Sequence, residues 1–111
     1  MTKDVKTLKV DSLNTDNKCF VRVSIGGNYY AFSKPKLMKA IEVIYQWQHM
    51  NCKDSFNVQL VNLIAKADYQ NKLKFFKSFP AITVAYLLWY NRVDFTKDAD
   101  FFKKMSDILG D

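Results

Sequence analysis

The fold is decided within residues 19–35, where the chain reads CFVRVSIGGNYYAFSKP. Apolar and polar residues alternate over residues 19–25, the period of two that is typical of a half-buried strand. The residues Gly26-Gly27-Asn28 follow, and glycine and asparagine tolerate the positive φ that two-residue hairpin turns require. The sequence therefore predicts an antiparallel β-hairpin whose second strand covers residues 29–32.

The two faces of this hairpin differ in character. Val21, Val23 and Ile25 share one face, and either two-residue turn places Tyr30 and Phe32 beside them. We expect this face to cover the core. The opposite face carries Arg22, Ser24, Tyr29 and Ala31.

A further strand is predicted before the hairpin and a helix after it. Residues 5–13 alternate in the manner of an edge strand. Ser33 followed by Pro35 is typical of a helix start, because the serine hydroxyl accepts a first-turn amide and proline is tolerated there. This helix is expected to end near Met50. Its apolar stripe is Leu37, Ala40, Ile41, Ile44 and Trp47.

A second helix is predicted to begin at Asp54 or Ser55, and its apolar residues then change phase near Asp68. A short third helix follows and ends near Ser78. The predicted stripe of the second helix is Phe56, Leu60, Leu63, Ile64 and Ala67.

The last two helices are predicted from their start signals and their apolar residues. Ser78 with Pro80 repeats the earlier start, and the helix that follows to about Arg92 is apolar almost all round, so we expect it at the centre. Thr96 is expected to cap the last helix. The expected buried side of that helix is Phe101, Met105, Ile108 and Leu109.

Length and composition fit one domain over residues 1–111. The chain has 111 residues, of which 49% are hydrophobic and 15% aromatic, enough apolar surface for one core. Residues 1–4 and 110–111 are expected to be frayed. The predicted class is α+β: an N-terminal antiparallel hairpin or three-stranded meander, followed by four to five helices packed as one domain.

The net charge of +6 and the isoelectric point near 9.3 favour an acidic partner. Only Arg22 and Arg92 among the 17 basic residues are arginine. Arginine reads phosphates and guanine edges through two parallel hydrogen bonds, so the abundant lysines indicate attraction without specificity. An AT-rich genome would explain the lysine bias equally well.

Cysteine use and hydropathy predict an intracellular, cytoplasmic protein. Cys19 and Cys52 are too few for the disulfide framework of a small secreted domain. The N-terminus lacks the pattern of a secretory signal. The most apolar segment, residues 81–90, is about half the length that crosses a bilayer, so no membrane is expected as a partner.

Catalytic and metal-binding chemistry is not indicated. His49, Cys52 and Asp54 form the one nucleophile–base combination, and they are too local in the chain to surround a substrate. His49 and Cys52 have the spacing of half a zinc site, but Cys19 is the one further soft ligand, and a closed structural site needs four. The sequence therefore predicts no enzyme, no metal and no cofactor.

The leading hypothesis is a small accessory protein that binds a macromolecular partner stoichiometrically. It suits a phage or mobile-element inhibitor that covers an acidic surface of a host protein or nucleoprotein complex. Partly exposed aromatic residues would hold the partner. The expected partner-binding residues are Arg22, Tyr29, Lys34, Lys36 and Lys39, with a secondary basic cluster at Lys72, Lys74 and Lys77.

Two alternatives stay open. The same basic surface could bind DNA or RNA, with Tyr29 stacking on bases and lysines holding phosphates. The second alternative is a homodimer through exposed aromatic residues or through the edge strand at residues 5–13, since an unpaired edge is a template for pairing.

Overall fold

The computed structural model describes residues 10–14, 18–49, 55–91 and 98–109, with the backbone alone at Asp11, Asp98 and Ala99. These ranges contain a three-stranded antiparallel sheet followed by five helices, which confirms the predicted α+β class in its meander form. The strands are β1 (Val10–Asn14), β2 (Phe20–Ile25) and β3 (Asn28–Ser33). The helices are α1 (Lys34–His49), α2 (Phe56–Lys66), α3 (Tyr69–Ser78), α4 (Pro80–Tyr90) and α5 (Asp98–Leu109).

The hairpin of β2 and β3 forms as predicted. Gly26 and Gly27 have φ values of 59° and 86°, so both central turn positions use a conformation that glycine adopts without strain. The register pairs Val21 with Phe32 and Val23 with Tyr30. These four side chains therefore share the face that covers the core, as the alternation indicated.

Strand β1 pairs with β2 and completes the order β1-β2-β3. The register shifts between Val10 and Ser12, which is a β-bulge. Because of this extra residue, Val10 and Leu13 both pack against the core although they are an odd number of residues apart. The predicted strand began earlier in the chain, and its residues 5–9 lie outside the described ranges.

Helix α1 begins where the sequence predicted. The amide of Lys36 donates to the Ser33 hydroxyl oxygen over 3.3 Å, and Pro35 occupies the first turn. The buried face contains Leu37, Ala40, Ile41 and Ile44, with Trp47 half-buried beyond them. The helix is described to His49, and the expected end at Met50 lies outside the described residues.

Helix α2 is rotated relative to its predicted orientation. Its hydroxyl cap is Ser55, which accepts from the amide of Val58, whereas Asp54 lies outside the described residues. The predicted inward residues Phe56 and Leu63 are 65% and 58% exposed, so that part of the prediction is wrong. The buried residues are Val58, Leu60, Val61 and Ile64.

The reason for this rotation lies in the arrangement of apolar residues around α2. Leu60 and Ile64 form a row along the helix, and apolar residues lie on both flanks of this row. The helical period of the apolar residues is therefore compatible with burial of either flank. Packing of α2 against α1 and α4 selects the flank with the two valines. The other flank faces solvent.

Helices α3 and α4 meet at a sharp junction. The predicted break before α3 is confirmed, and Asp68 caps this helix by accepting from the Asn71 amide over 2.9 Å. Ser78 was expected to cap α4 but is the last residue of α3. Phe79 takes the capping position without a side-chain hydrogen bond, and the Thr83 hydroxyl donates to its carbonyl oxygen over 2.8 Å.

Helix α4 is the central helix, as its composition predicted. It contacts α1, α2 and α3. It ends at Tyr90, and Arg92 lies outside the described residues. Its buried side chains are Ala81, Thr83, Val84, Ala85, Tyr86, Leu87 and Leu88.

Helix α5 packs on α1 and buries the residues that its pattern predicted. Phe101, Met105 and Leu109 are buried, and Ile108 is partly buried against the same core. The expected cap, Thr96, lies outside the described residues. The core of the described chain is therefore enclosed by the sheet on one side and by this helix on another.

Adjacent residues of α2 provide a test of its orientation. We expect Ile64→Ala to lower the free energy of unfolding by about 2–5 kcal/mol, because the side chain is fully buried. Leu63→Ala removes a similar side chain from the exposed flank and is expected to change that free energy by about 0.5 kcal/mol or less. Urea denaturation of both variants measures the difference. Equal losses would contradict the observed rotation.

Candidate functional site

The face of the sheet that points away from the core is the first candidate surface, here called the outer sheet face. The register places Arg22 opposite Ala31 and Ser24 opposite Tyr29 on this face, while Phe20 begins the same row. Phe20 is 54% exposed and Tyr29 is 70% exposed. Large aromatic side chains therefore face solvent on the sheet, whereas Ser24, opposite Tyr29, is buried.

Arg22 and Tyr29 form a defined pair on the outer sheet face. The guanidinium carbon of Arg22 lies 5.9 Å from the centre of the Tyr29 ring, within the range of a cation–π interaction. Both side chains are exposed. The contact holds a cation and an aromatic ring side by side without burying either one.

Lysines lie at the end of the sheet where α1 begins. The Lys34 amide donates to the Cys19 carbonyl oxygen over 3.0 Å, which fixes the start of α1 beside the start of β2. The first turn of α1 contains no acidic residue, so the partial positive charge of the helix end adds to the charges of Lys34 and Lys36. Lys39 follows one turn later on the side of Lys36 and is exposed.

The structure therefore brings some of the predicted partner-binding residues together and spreads out others. Arg22 and Tyr29 are in contact, and Lys34 and Lys36 occupy the adjoining helix start. Lys39 extends the basic surface along α1. Their role in binding stays a prediction.

Acidic side chains lie elsewhere among those that the structure describes. They are on α1, at the start of α3 and on α5, whereas the described side chains of the outer sheet face include no carboxylate. Among the described side chains, the outer sheet face and the start of α1 therefore have cations and no carboxylate. The described carboxylates are Glu42, Asp68, Asp100 and Asp107.

The second basic cluster is divided by the structure. Side chains two positions apart on a helix differ by about 200° in direction, so Lys72 does not share a side with Lys74. The Lys72 ammonium group donates to the Ala67 carbonyl oxygen at the end of α2. Burial lowers the pKa of Lys72, and the nearby Asp68 carboxylate opposes this effect. Lys72 therefore stabilises the junction of α2 and α3, while Lys74 and Lys77 are exposed.

Lys74 and Lys77 lie beside a groove between β3 and α3, here called the β3–α3 groove. Its volume is ≈ 560 Å³. The rings of Tyr30 and Phe76 stack in its wall, with centres 4.9 Å apart and planes at 17°. Lining residues are Asn28, Tyr30, Gln70, Leu73, Lys74, Phe76 and Lys77.

The sequence did not reveal this groove, because it depends on a contact between residues far apart in the chain. One sequence signal is consistent with it: Tyr30 carries a hydroxyl group on a strand face that otherwise holds aliphatic residues and Phe32. A buried tyrosine hydroxyl needs water or a polar partner, so the sequence indicates that the sheet is not completely buried at Tyr30.

Other aromatic side chains on the helices have diverse environments. Tyr90 is 66% exposed, whereas Tyr86 is buried beneath it and stacks with it. Trp47 is half-buried and donates from Nε1 to the Asn62 side-chain oxygen over 2.7 Å. Tyr45 is exposed and contacts Phe102 and His49, and Tyr69 is half-buried.

The residues considered for catalysis and metal binding do not form a site within the described ranges. His49 is exposed and contacts the rings of Tyr45 and Phe102. Cys52 and Asp54 lie outside those ranges. Within them, no group of three or more histidine, cysteine, aspartate or glutamate side chains is placed to hold a metal ion. None of the described helices has the length and apolar character needed to span a membrane.

Comparisons with known proteins add no functional assignment. Neither protein-family models, nor curated proteins, nor solved structures give a match to this chain. The functional interpretation therefore depends on the surfaces described above.

The ionisation of Tyr30 provides a test of its environment in the groove. Burial raises the pKa of Tyr30 above the ordinary value of 10.0, and Tyr69 adds to this effect. Because the unfolded chain releases this proton at a lower pH, the stabilisation is fully present below pH 10 and is lost as pH rises through the folded pKa.

We expect Tyr30→Phe to make the alkaline loss of stability shallower, measured by urea denaturation on either side of pH 10. Tyr86→Phe should act in the same direction, since burial and the nearby Tyr90 also raise the pKa of Tyr86. An exposed neighbour, Tyr29, gives the matched control as Tyr29→Phe. An alkaline slope that neither Tyr30→Phe nor Tyr86→Phe reduces would contradict this environment.

Proposed function

We propose that this chain is a non-enzymatic binding protein that covers an acidic surface of a larger protein or nucleoprotein complex. The observation that carries the proposal is the outer sheet face, where Phe20, Arg22 and Tyr29 are exposed and Arg22 lies against the Tyr29 ring. Tyrosine and arginine are enriched among the residues that dominate interface energies. Ordered side chains lose less conformational entropy on binding than mobile ones.

The lysines at the start of α1 have a separate role in this proposal. Lys34, Lys36 and Lys39 attract an acidic partner over a distance and increase the rate of encounter. The contact that sets the lifetime of the complex is made by the aromatic side chains and Arg22. The functional consequence is occlusion: the partner surface beneath the sheet becomes inaccessible to its usual ligands.

We propose that the chain inhibits or regulates a host complex by this occlusion, in a cytoplasmic setting. It is supported by the size of the chain, its positive charge and its low cysteine content. A phage or other mobile element is the proposed source of such an inhibitor. Such an inhibitor needs no catalytic residue, because one copy of the chain inactivates one partner molecule.

Direct binding to nucleic acid is the second candidate. The specific observation that favours it is the pair of exposed rings, Phe20 and Tyr29, on a sheet face that has Arg22 and no carboxylate among its described side chains. Aromatic rings on a basic sheet stack with unpaired bases. Phosphate contacts would make the affinity fall steeply with salt concentration.

The first experiment captures binding partners with the tagged protein from a lysate of the cells in which it acts. The lysate is divided into nuclease-treated and untreated portions, each at low and high salt. We expect a discrete protein complex to remain bound under all four conditions, since an interface centred on aromatic side chains is weakly sensitive to salt. Nucleic acid that is lost with nuclease or high salt would instead support the second candidate.

Substitutions then locate the binding surface. We expect Arg22→Glu and Tyr29→Ser each to weaken capture by about tenfold or more, the effect of losing an interface hot spot. Lys103→Glu and Tyr90→Ser are matched controls at exposed positions on α5 and α4, and they should retain full capture. His49→Ala combined with Cys52→Ala should also retain it. Unchanged capture by the Arg22 and Tyr29 variants would contradict the proposed surface.

A further inference from the structure

The edge of β3 that no described strand covers is the starting point of a more specific inference. The hydrogen bond from the Lys34 amide to the Cys19 carbonyl continues the β2–β3 ladder by one pair. Hydrogen-bonded and non-bonded pairs alternate in an antiparallel ladder, so Val23 and Tyr30 form a bonded pair. The backbone groups of Tyr29 and Ala31 therefore point away from β2, towards the open side of the sheet.

This edge lies between the two candidate surfaces. Strand β3 is last in the order β1-β2-β3, so no further described strand covers it. On one side of the edge is the outer sheet face with the Arg22–Tyr29 pair. On the other side is the β3–α3 groove, whose lining includes Tyr30 and Lys74. A strand added at this edge would place alternate side chains on these two surfaces.

The charges beside the edge indicate the chemistry of such a strand. Lys74 and Lys77 lie in the lining of the groove, and that lining includes no carboxylate. Arg22 lies on the other side. Acidic side chains of an added strand would therefore lie close to cations on either surface. Its apolar side chains would contact the rings of Tyr29 or Tyr30.

Other occupants fit this edge less well. Pairing of β3 with β3 of a second copy would bring Lys74 and Lys77 of both copies together, and like charges repel. A nucleic acid strand has phosphate oxygens that accept hydrogen bonds but no regular backbone donors for the Tyr29 and Ala31 carbonyl groups. An extended polypeptide supplies both donors and acceptors at the spacing of a strand.

We propose that an extended acidic segment of the protein partner adds to the sheet as a fourth strand at the edge of β3. This inference rests on the proposed function, because it takes the partner to be a protein. The backbone of Tyr29 and Ala31 binds the segment. The Arg22–Tyr29 pair and the β3–α3 groove select its alternating acidic and apolar side chains.

The test uses the full chain and two labelled peptides about six residues long, the usual length of a strand. In one peptide glutamate alternates with valine and phenylalanine, and in the other lysine replaces each glutamate. Fluorescence anisotropy measures both affinities. We expect the glutamate peptide to bind at least about tenfold more tightly, since the flanking side chains are cations.

Charge reversal in the groove provides the matched variants. Lys74→Glu combined with Lys77→Glu should abolish or reverse the preference for the glutamate peptide. Lys103→Glu combined with Lys104→Glu makes the same change in net charge on α5, and we expect it to keep the preference. Both pairs are exposed, and circular dichroism checks that each variant is folded. Equal affinity of the parent chain for the two peptides would overturn the inference.

Hydrogen exchange distinguishes strand addition from simple charge attraction. We expect the glutamate peptide to slow exchange of the Tyr29 and Ala31 amides, measured by nuclear magnetic resonance, because these amides then donate to its backbone. A version of the peptide with methylated backbone nitrogens should bind more weakly. Binding without protection of these two amides would overturn the inference.

Failure of the edge inference can be distinguished from failure of the proposed function. If the peptides fail these tests while capture of a protein complex still depends on Tyr29, the edge inference is wrong and the proposed function is retained. If neither peptide binding nor Tyr29-dependent capture is observed, both are wrong.

Discussion

Helix α4 has buried side chains on almost every side, so it is stable only when other elements cover it. Helices α1, α2 and α3 all contact it, and α5 packs against α1. This requirement explains why α2 turns its valines inward, since that flank packs against α1 and α4. The sheet closes the core by covering it with the aliphatic side chains of β2. Each surface element is therefore positioned, directly or through α1, by the burial of one helix.

Because the helices cover one face of the sheet, Phe20, Arg22 and Tyr29 on the other face are exposed, although Ser24 on that face is buried. A three-stranded sheet packed on helices is stable with one face in solvent. The Arg22–Tyr29 contact adds order to side chains that the core does not hold. The same division creates the β3–α3 groove, where α3 reaches the sheet through the stacked rings of Tyr30 and Phe76 but leaves the adjoining space open. Among the described side chains, the charged residues on both surfaces are basic.

The parts of the fold that could be predicted from sequence are those set by local chemistry. The two glycines of the hairpin turn, the Ser33 cap and the alternation along β2 act within a few residues, and each was predicted correctly. The orientation of α2 could not be predicted, because its apolar row is flanked by apolar residues on both sides. Lys72 illustrates the same limit: its position in a run of lysines indicated a surface charge, whereas its contact with Ala67 depends on how two helices meet. The Arg22–Tyr29 pair could have been predicted, because the turn sets the register of the strands. The groove could not, because it depends on the position of α3.

The bulge in β1 has a consequence for assembly. The two edges of this sheet are not equivalent: β1 is interrupted between Val10 and Ser12, while β3 has a continuous register with its neighbour. A bulge increases local twist and interrupts the regular row of donors and acceptors that edge pairing needs. Head-to-tail growth of a sheet into a fibre requires two complementary open edges on every subunit. With β1 irregular between Val10 and Ser12, the two described edges of the sheet are not complementary, which disfavours growth of the sheet from copy to copy.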